Sequence, residues 1–175
     1  MKILTLAGAA ALLLSTATVD AALADGHGRF VCENNAGGIS AGRFGHHAGP
    51  EGGEIARGRR IATDGDGNAI GGSGGCARGA EGSAACRGGY FTRDADGNVT
   101  RQGGAVFEGA NGASGTSQGG FTKNADGTYA GERTTAASGT NGSYNGSTTY
   151  SSEDGVSHTA TCMGASGTVV ACPTR

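Results

Sequence analysis

Between Gly79 and Thr135 large apolar residues are sparse, and they recur at fixed intervals among small and polar ones. Shifted by thirty positions, Phe91-Thr92-Arg93-Asp94-Ala95-Asp96-Gly97 lies over Phe121-Thr122-Lys123-Asn124-Ala125-Asp126-Gly127. Gly79-Ala80-Glu81-Gly82 likewise lies over Gly109-Ala110-Asn111-Gly112. Self-similarity at a fixed period is the mark of a repeat architecture. At half that shift a smaller unit emerges: a small residue, then Asp, Glu or Asn, then Gly. It ends at Gly67, Gly82, Gly97, Gly112, Gly127 and Gly142, with weaker members ending at Gly37 and Gly52. A three-residue loop closing on Gly matches a type I turn followed by a left-handed residue, a common hairpin connection. The pattern predicts an all-β, Gly-rich antiparallel hairpin meander with a 15-residue strand-turn unit and a 30-residue hairpin period.

Three-residue loops make the numbers of cross-strand partners sum to an even value, so parity marks the face of the sheet. The odd face collects Phe91, Val99, Phe107, Phe121 and Tyr129, while the even face carries Tyr90 and Val106 among Thr100, Gln102, Thr116, Gln118, Thr122, Glu132 and Thr134. This segregation predicts a half-buried sheet, although Arg87, Arg93, Arg101 and Arg133 share the odd side. Interior glycines such as Gly88-Gly89 and Gly103-Gly104 allow a strand to bend, which predicts a sheet that coils or closes. Residues 25–60 read as a degenerate N-terminal section, 61–152 as the regular hairpin repeats, and 153–175 as a shortened C-terminal hairpin cap.

Met1-Lys2, the apolar run to Val19 and Ala22-Leu23-Ala24 before Asp25 have the layout of a cleaved secretory signal, residues 1–24. No later apolar run is long enough to span a membrane as a helix. The expected location is periplasmic, cell-surface or extracellular.

With 37 Gly, two Pro and no Trp in 175 residues, the chain has too few large apolar side chains for a conventional core. Backbone ladders, disulfides or pairing with other copies are expected to carry the stability. The net charge of −2, with no basic stripe in the sequence, argues against nucleic acid as a partner. The five Cys suit an oxidising compartment. Cys76 and Cys86 are centred on Glu81, and Cys162 and Cys172 are equally spaced about Gly167, which predicts two cross-strand disulfides. Cys32 is left unpaired, either free or joined to a second chain.

Asp64-Gly65-Asp66-Gly67-Asn68 and Asp94-Ala95-Asp96-Gly97-Asn98 look like the opening of a calcium loop, and Asp126 continues the series. The closing Glu of such a loop is absent, and local turn bonds account for the carboxylates without a metal. His46 and His47, adjacent on a strand, point to opposite faces and cannot chelate one ion. No Ser lies in a Gly-x-Ser-x-Gly elbow between a strand and a helix, and no acid, base and orienting group cluster locally. The expectation is a non-catalytic chain without metal or cofactor.

The stretch Phe91-Thr92-Arg93-Asp94-Ala95-Asp96-Gly97-Asn98-Val99-Thr100 resembles one unit of the tyrosine–aspartate hairpin repeats of bacterial Rhs-type shells. The Gly-rich strand-turn organisation is similar to that of curli-type fibre subunits. Neither resemblance carries a function here. The expected role is structural or adhesive, at the cell surface or in an extracellular matrix, with self-association through strand edges or Cys32. The alternative is a secreted module binding polysaccharide, ice or another surface.

Overall fold

The computed structural model describes residues 25–172, so the predicted signal segment and residues 173–175 lie outside the described residues. Eleven strands follow one another in chain order: β1 (Gly26–Glu33), β2 (Ile39–Ala48), β3 (Glu54–Thr63), β4 (Ala69–Arg78), β5 (Ala84–Arg93), β6 (Val99–Glu108), β7 (Ser114–Lys123), β8 (Tyr129–Gly139), β9 (Gly142–Ser151), β10 (Gly155–Gly164) and β11 (Val169–Val170). Their order in space is their order in sequence, every pair is antiparallel, and β1 and β11 form the two ends of one sheet. The sheet is open, so the closed alternative does not apply. No helix among the described residues is long and apolar enough to cross a membrane.

The turns produce this regularity. In the β5–β6 loop Asp94 N–H donates to Asn98 O at 3.1 Å, and Gly97 N–H donates back to Asp94 O at 3.1 Å. Gly97 holds φ +94°, as the left-handed position of a three-residue loop requires. Positive φ recurs at Gly37, Gly52, Gly67, Gly82, Gly97, Gly112 and Gly127, so the fifteen-residue unit runs from the first hairpin through the seventh. Residues 25–60 therefore obey the same register as the later repeats.

The eighth turn departs from the pattern. Gly139 pairs with Gly142 across a two-residue loop, Thr140-Asn141, instead of the predicted three-residue loop. Gly142 still has positive φ, at +133°, but it opens β9. Partner sums turn odd at this one junction, so the even-numbered residues of β9 and β10 join the odd face of β1–β8. Tyr150 thereby reaches Phe121, with ring centroids 6.0 Å apart.

A half-buried sheet was expected, and the structure differs. Among the described residues, apart from Gly71 and Gly115, only Ser40 and Cys162 are buried. The described chain supplies no second layer, so both faces stay open. Interior glycines serve instead as seats for aromatic rings. Phe91 lies across its partner Gly71, Phe107 across Gly115, Tyr150 across Gly131, and Phe44 across Gly28, each ring filling the space a Cβ would take. The ring shields the partner's backbone, giving a single layer the apolar contact that a core would otherwise supply.

Candidate functional site

The cysteines lie where hairpin geometry places them, with one offset. Cys76 and Cys86 are direct partners on β4 and β5, bridged with Cα atoms 4.1 Å apart. Cys162 is also bridged to Cys172, at a Cα separation of 5.3 Å, but its ladder partner is Val170. The last hairpin is centred one residue earlier than predicted, so this disulfide is diagonal and ties the chain just beyond β11 to β10. Cys32 is a free, exposed thiol on the end strand β1.

The turn acids form a hydrogen-bonded column along one end of the sheet. Asp64 accepts from Asp66 N and Asn68 N through Oδ1, and from Asn68 Nδ2 through Oδ2. Asn68 Oδ1 then accepts from Ala95 N at 2.9 Å, which joins the β3–β4 turn to the β5–β6 turn. Asp94 and Asn98 repeat the arrangement, and Asn98 Oδ1 reaches Ala125 N, also at 2.9 Å. Asp126 instead accepts from the backbone and hydroxyl of Thr128. Side-chain hydrogen bonds from Asn68, Asn98 and Thr128 are the leading cause that lowers the carboxyl pKa of Asp64, Asp94 and Asp126, respectively, below 3.8. No three His, Cys, Asp or Glu residues gather as a metal cluster among the described residues. His46 and His47 fall on opposite faces, and His47 Nδ1 meets Asp25 Oδ2 at 2.8 Å.

An open hollow of about 480 Å³ near the β5–β9 turn end is lined mainly by Ala, Ser and Val106 or Phe107, with one carboxylate, Glu108. Its lining contains no acid–base pair.

The feature that sequence reading missed is the distribution of charge between faces. Following the register from β1 to β8 puts Arg29, Arg43, Arg57, Arg59, Arg87, Arg93, Arg101, Lys123 and Arg133 on the odd face, with Glu33 as its one strand acid. Over the same strands the even face holds Arg60 and Arg78 against Glu54, Glu108 and Glu132. Most remaining acids sit in the turns. A near-neutral total thus conceals a basic face, which corrects the inference that the chain has no basic stripe. Arg29, Arg43 and Arg59 are direct cross-strand neighbours, an arrangement that like charges disfavour. All nine basic residues are exposed, and among the described residues none forms an ion pair. Parity, carried upstream through Gly52 and Gly37, would have revealed the face. The even face has a different texture, with Thr92, Thr100 and Thr122 in one row across β5, β6 and β7.

Comparison with models of known families, with curated proteins and with solved structures finds no match for this chain.

Proposed function

We propose that the chain is an exported structural or adhesive component of a cell surface or extracellular matrix, non-catalytic and associating with copies of itself. The observation that carries this reading is β1, an eight-residue end strand that pairs on one side only among the described residues. An unpaired strand edge is a template for adding another strand. β1 contains no Pro, and its pairing with β2 is unbroken by a bulge. Cys32 lies on this strand, where a second copy would bring a second thiol. Two disulfides are compatible with an oxidising extracellular environment.

Sedimentation velocity over a concentration series tests the reading. Wild-type protein should assemble as concentration rises, and Val31→Lys, which puts a charge on the edge at a residue 75% exposed, should suppress assembly. A chain that stays monomeric throughout rules out self-association.

The row Thr92, Thr100 and Thr122 favours a second reading, a module that binds polysaccharide, ice or another surface through a flat hydroxyl-bearing face. That reading requires a monodisperse protein with saturable ligand binding.

A further inference from the structure

We propose that the basic odd face binds an acidic polysaccharide laid across the strands, along the row that runs from Arg29 on β1 to Arg133 on β8. The inference rests on the extracellular matrix or surface reading above, since that is where the protein would meet such a polymer.

The row begins with Arg29, Arg43 and Arg59, then passes through Ser73, Gly89, Gly103 and Gly119 to Arg133. Its middle has no side chain larger than a hydroxymethyl group, so it forms a shallow trough. Arg57 and Arg87 stand two positions along the strands on one side, and Phe91 and Arg101 stand on the other. At a strand spacing of about 4.8 Å the trough extends about 34 Å from β1 to β8.

Three arginines opposed on adjacent strands, with no acid beside them among the described residues, repel one another until an anion lies between them. Guanidinium groups pair in bidentate fashion with planar carboxylates and bind other oxyanions through the same fork of donors. Eight of the nine basic residues on this face are Arg.

The recessed floor favours a chain over a bilayer, whose headgroup plane would rest on the flanking side chains. The aromatic residues beside the trough, Phe91 and Phe121, favour sugar over single-stranded nucleic acid, which needs free ring faces on which bases stack. Here the Arg101 guanidinium lies 5.9 Å from the Phe91 centroid, and Phe121 packs against Tyr129 and Tyr150 at 6.2 and 6.0 Å.

The test is calorimetric titration of oxidised protein, residues 25–175, with polygalacturonate and with dextran sulfate, using neutral dextran as the blank. Single-stranded DNA and phosphatidylserine vesicles are run in parallel. The proposal predicts saturable binding to at least one acidic polysaccharide, weakening as salt rises. The variant R29S/R43S/R59S should bind roughly tenfold more weakly or worse, since each lost guanidinium removes a charge-assisted contact. R60S/R78S, on the opposite face, should bind as wild type. Circular dichroism verifies that each variant keeps its strand spectrum; if the triple variant does not, the three single substitutions should each weaken binding and they decide. Absence of binding to both polymers overturns the proposal, as does an equal loss in R60S/R78S or tighter binding of DNA or vesicles. Assembly without polysaccharide binding sinks this inference alone, whereas polysaccharide binding by a permanently monomeric chain sinks self-association and leaves the inference standing.

Discussion

Gly97→Ala isolates the energy that the turns demand of the backbone. Gly97 holds φ +94°, and a Cβ built there meets no atom within 4 Å. The penalty is therefore conformational, with no collision to relieve: an L-residue in the left-handed region costs about 1–2 kcal/mol. For a domain of this length each kcal/mol lowers the melting temperature by about 2–4 °C. Gly97→Ala should thus melt roughly 2–8 °C below wild type in a calorimetric scan. Gly97→Asn should fall less, because Asn tolerates the left-handed region, and Gly97→Val should fall further, because β-branched residues tolerate it worst. The same ranking is expected at Gly82, where φ is +85° and the surrounding space is equally open. Gly71→Ala provides the contrast, since its new Cβ must displace the Phe91 ring. Its cost of about 1–3 kcal/mol is that of overpacking, and it should shrink in a Phe91→Ala background. If Ala, Asn and Val at Gly97 melt with wild type, the loop does not hold a left-handed residue and the periodic hairpin assignment is wrong.

Replacing both Cys76 and Cys86 by Ser should cost about 2–3 kcal/mol from the released loop, read as a shift in denaturant midpoint against the oxidised parent. Thiol titration of the native oxidised protein should find one reactive group per chain, Cys32; a silent Cys32 would mean that it is covered or paired. Asp64, Asp94 and Asp126 have folded pKa values below their ordinary 3.8, so their hydrogen bonds contribute stability above that value. The contribution is lost as pH falls through the lower, folded values. A pH series of melting temperatures should therefore decline below about 3.8, and N68A/N98A should flatten that decline.

The turn glycines were legible because a left-handed residue nearly demands Gly, so geometry and spelling coincide at Gly67, Gly82, Gly97, Gly112 and Gly127. Register followed from loop length, and with it the Cys76–Cys86 bridge. Gly142 misled because the same Thr-Asn-Gly spelling serves a two-residue loop, which sends Tyr150 to the other face. The offset of Cys172 has a similar origin, a hairpin centre displaced by one residue. Aromatic residues seated on glycines could not be read from alternation, which identifies a face and not what covers it. The basic face stayed hidden because Arg29, Arg43 and Arg59 are far apart in sequence and become neighbours only through pairing. The alternate Asp and Asn of the turns were legible as local bonding, whereas the step from Asn68 to Ala95 spans 27 residues and depends on the stacking of turns.

Small-angle X-ray scattering from the monomer peak of oxidised protein, residues 25–175, tests the central claim, that the chain is one open layer with both faces exposed. Eleven strands at about 4.8 Å spacing, about 34 Å long and about 10 Å thick, describe a plate. Such a plate has a radius of gyration of roughly 17–19 Å once the turns are included, with a thin cross-section evident at higher angles. A compact chain of this length would give about 15 Å. The larger value with a plate-like profile is the predicted result; the smaller value would mean that the faces are folded against each other, removing the surfaces on which the proposed function depends.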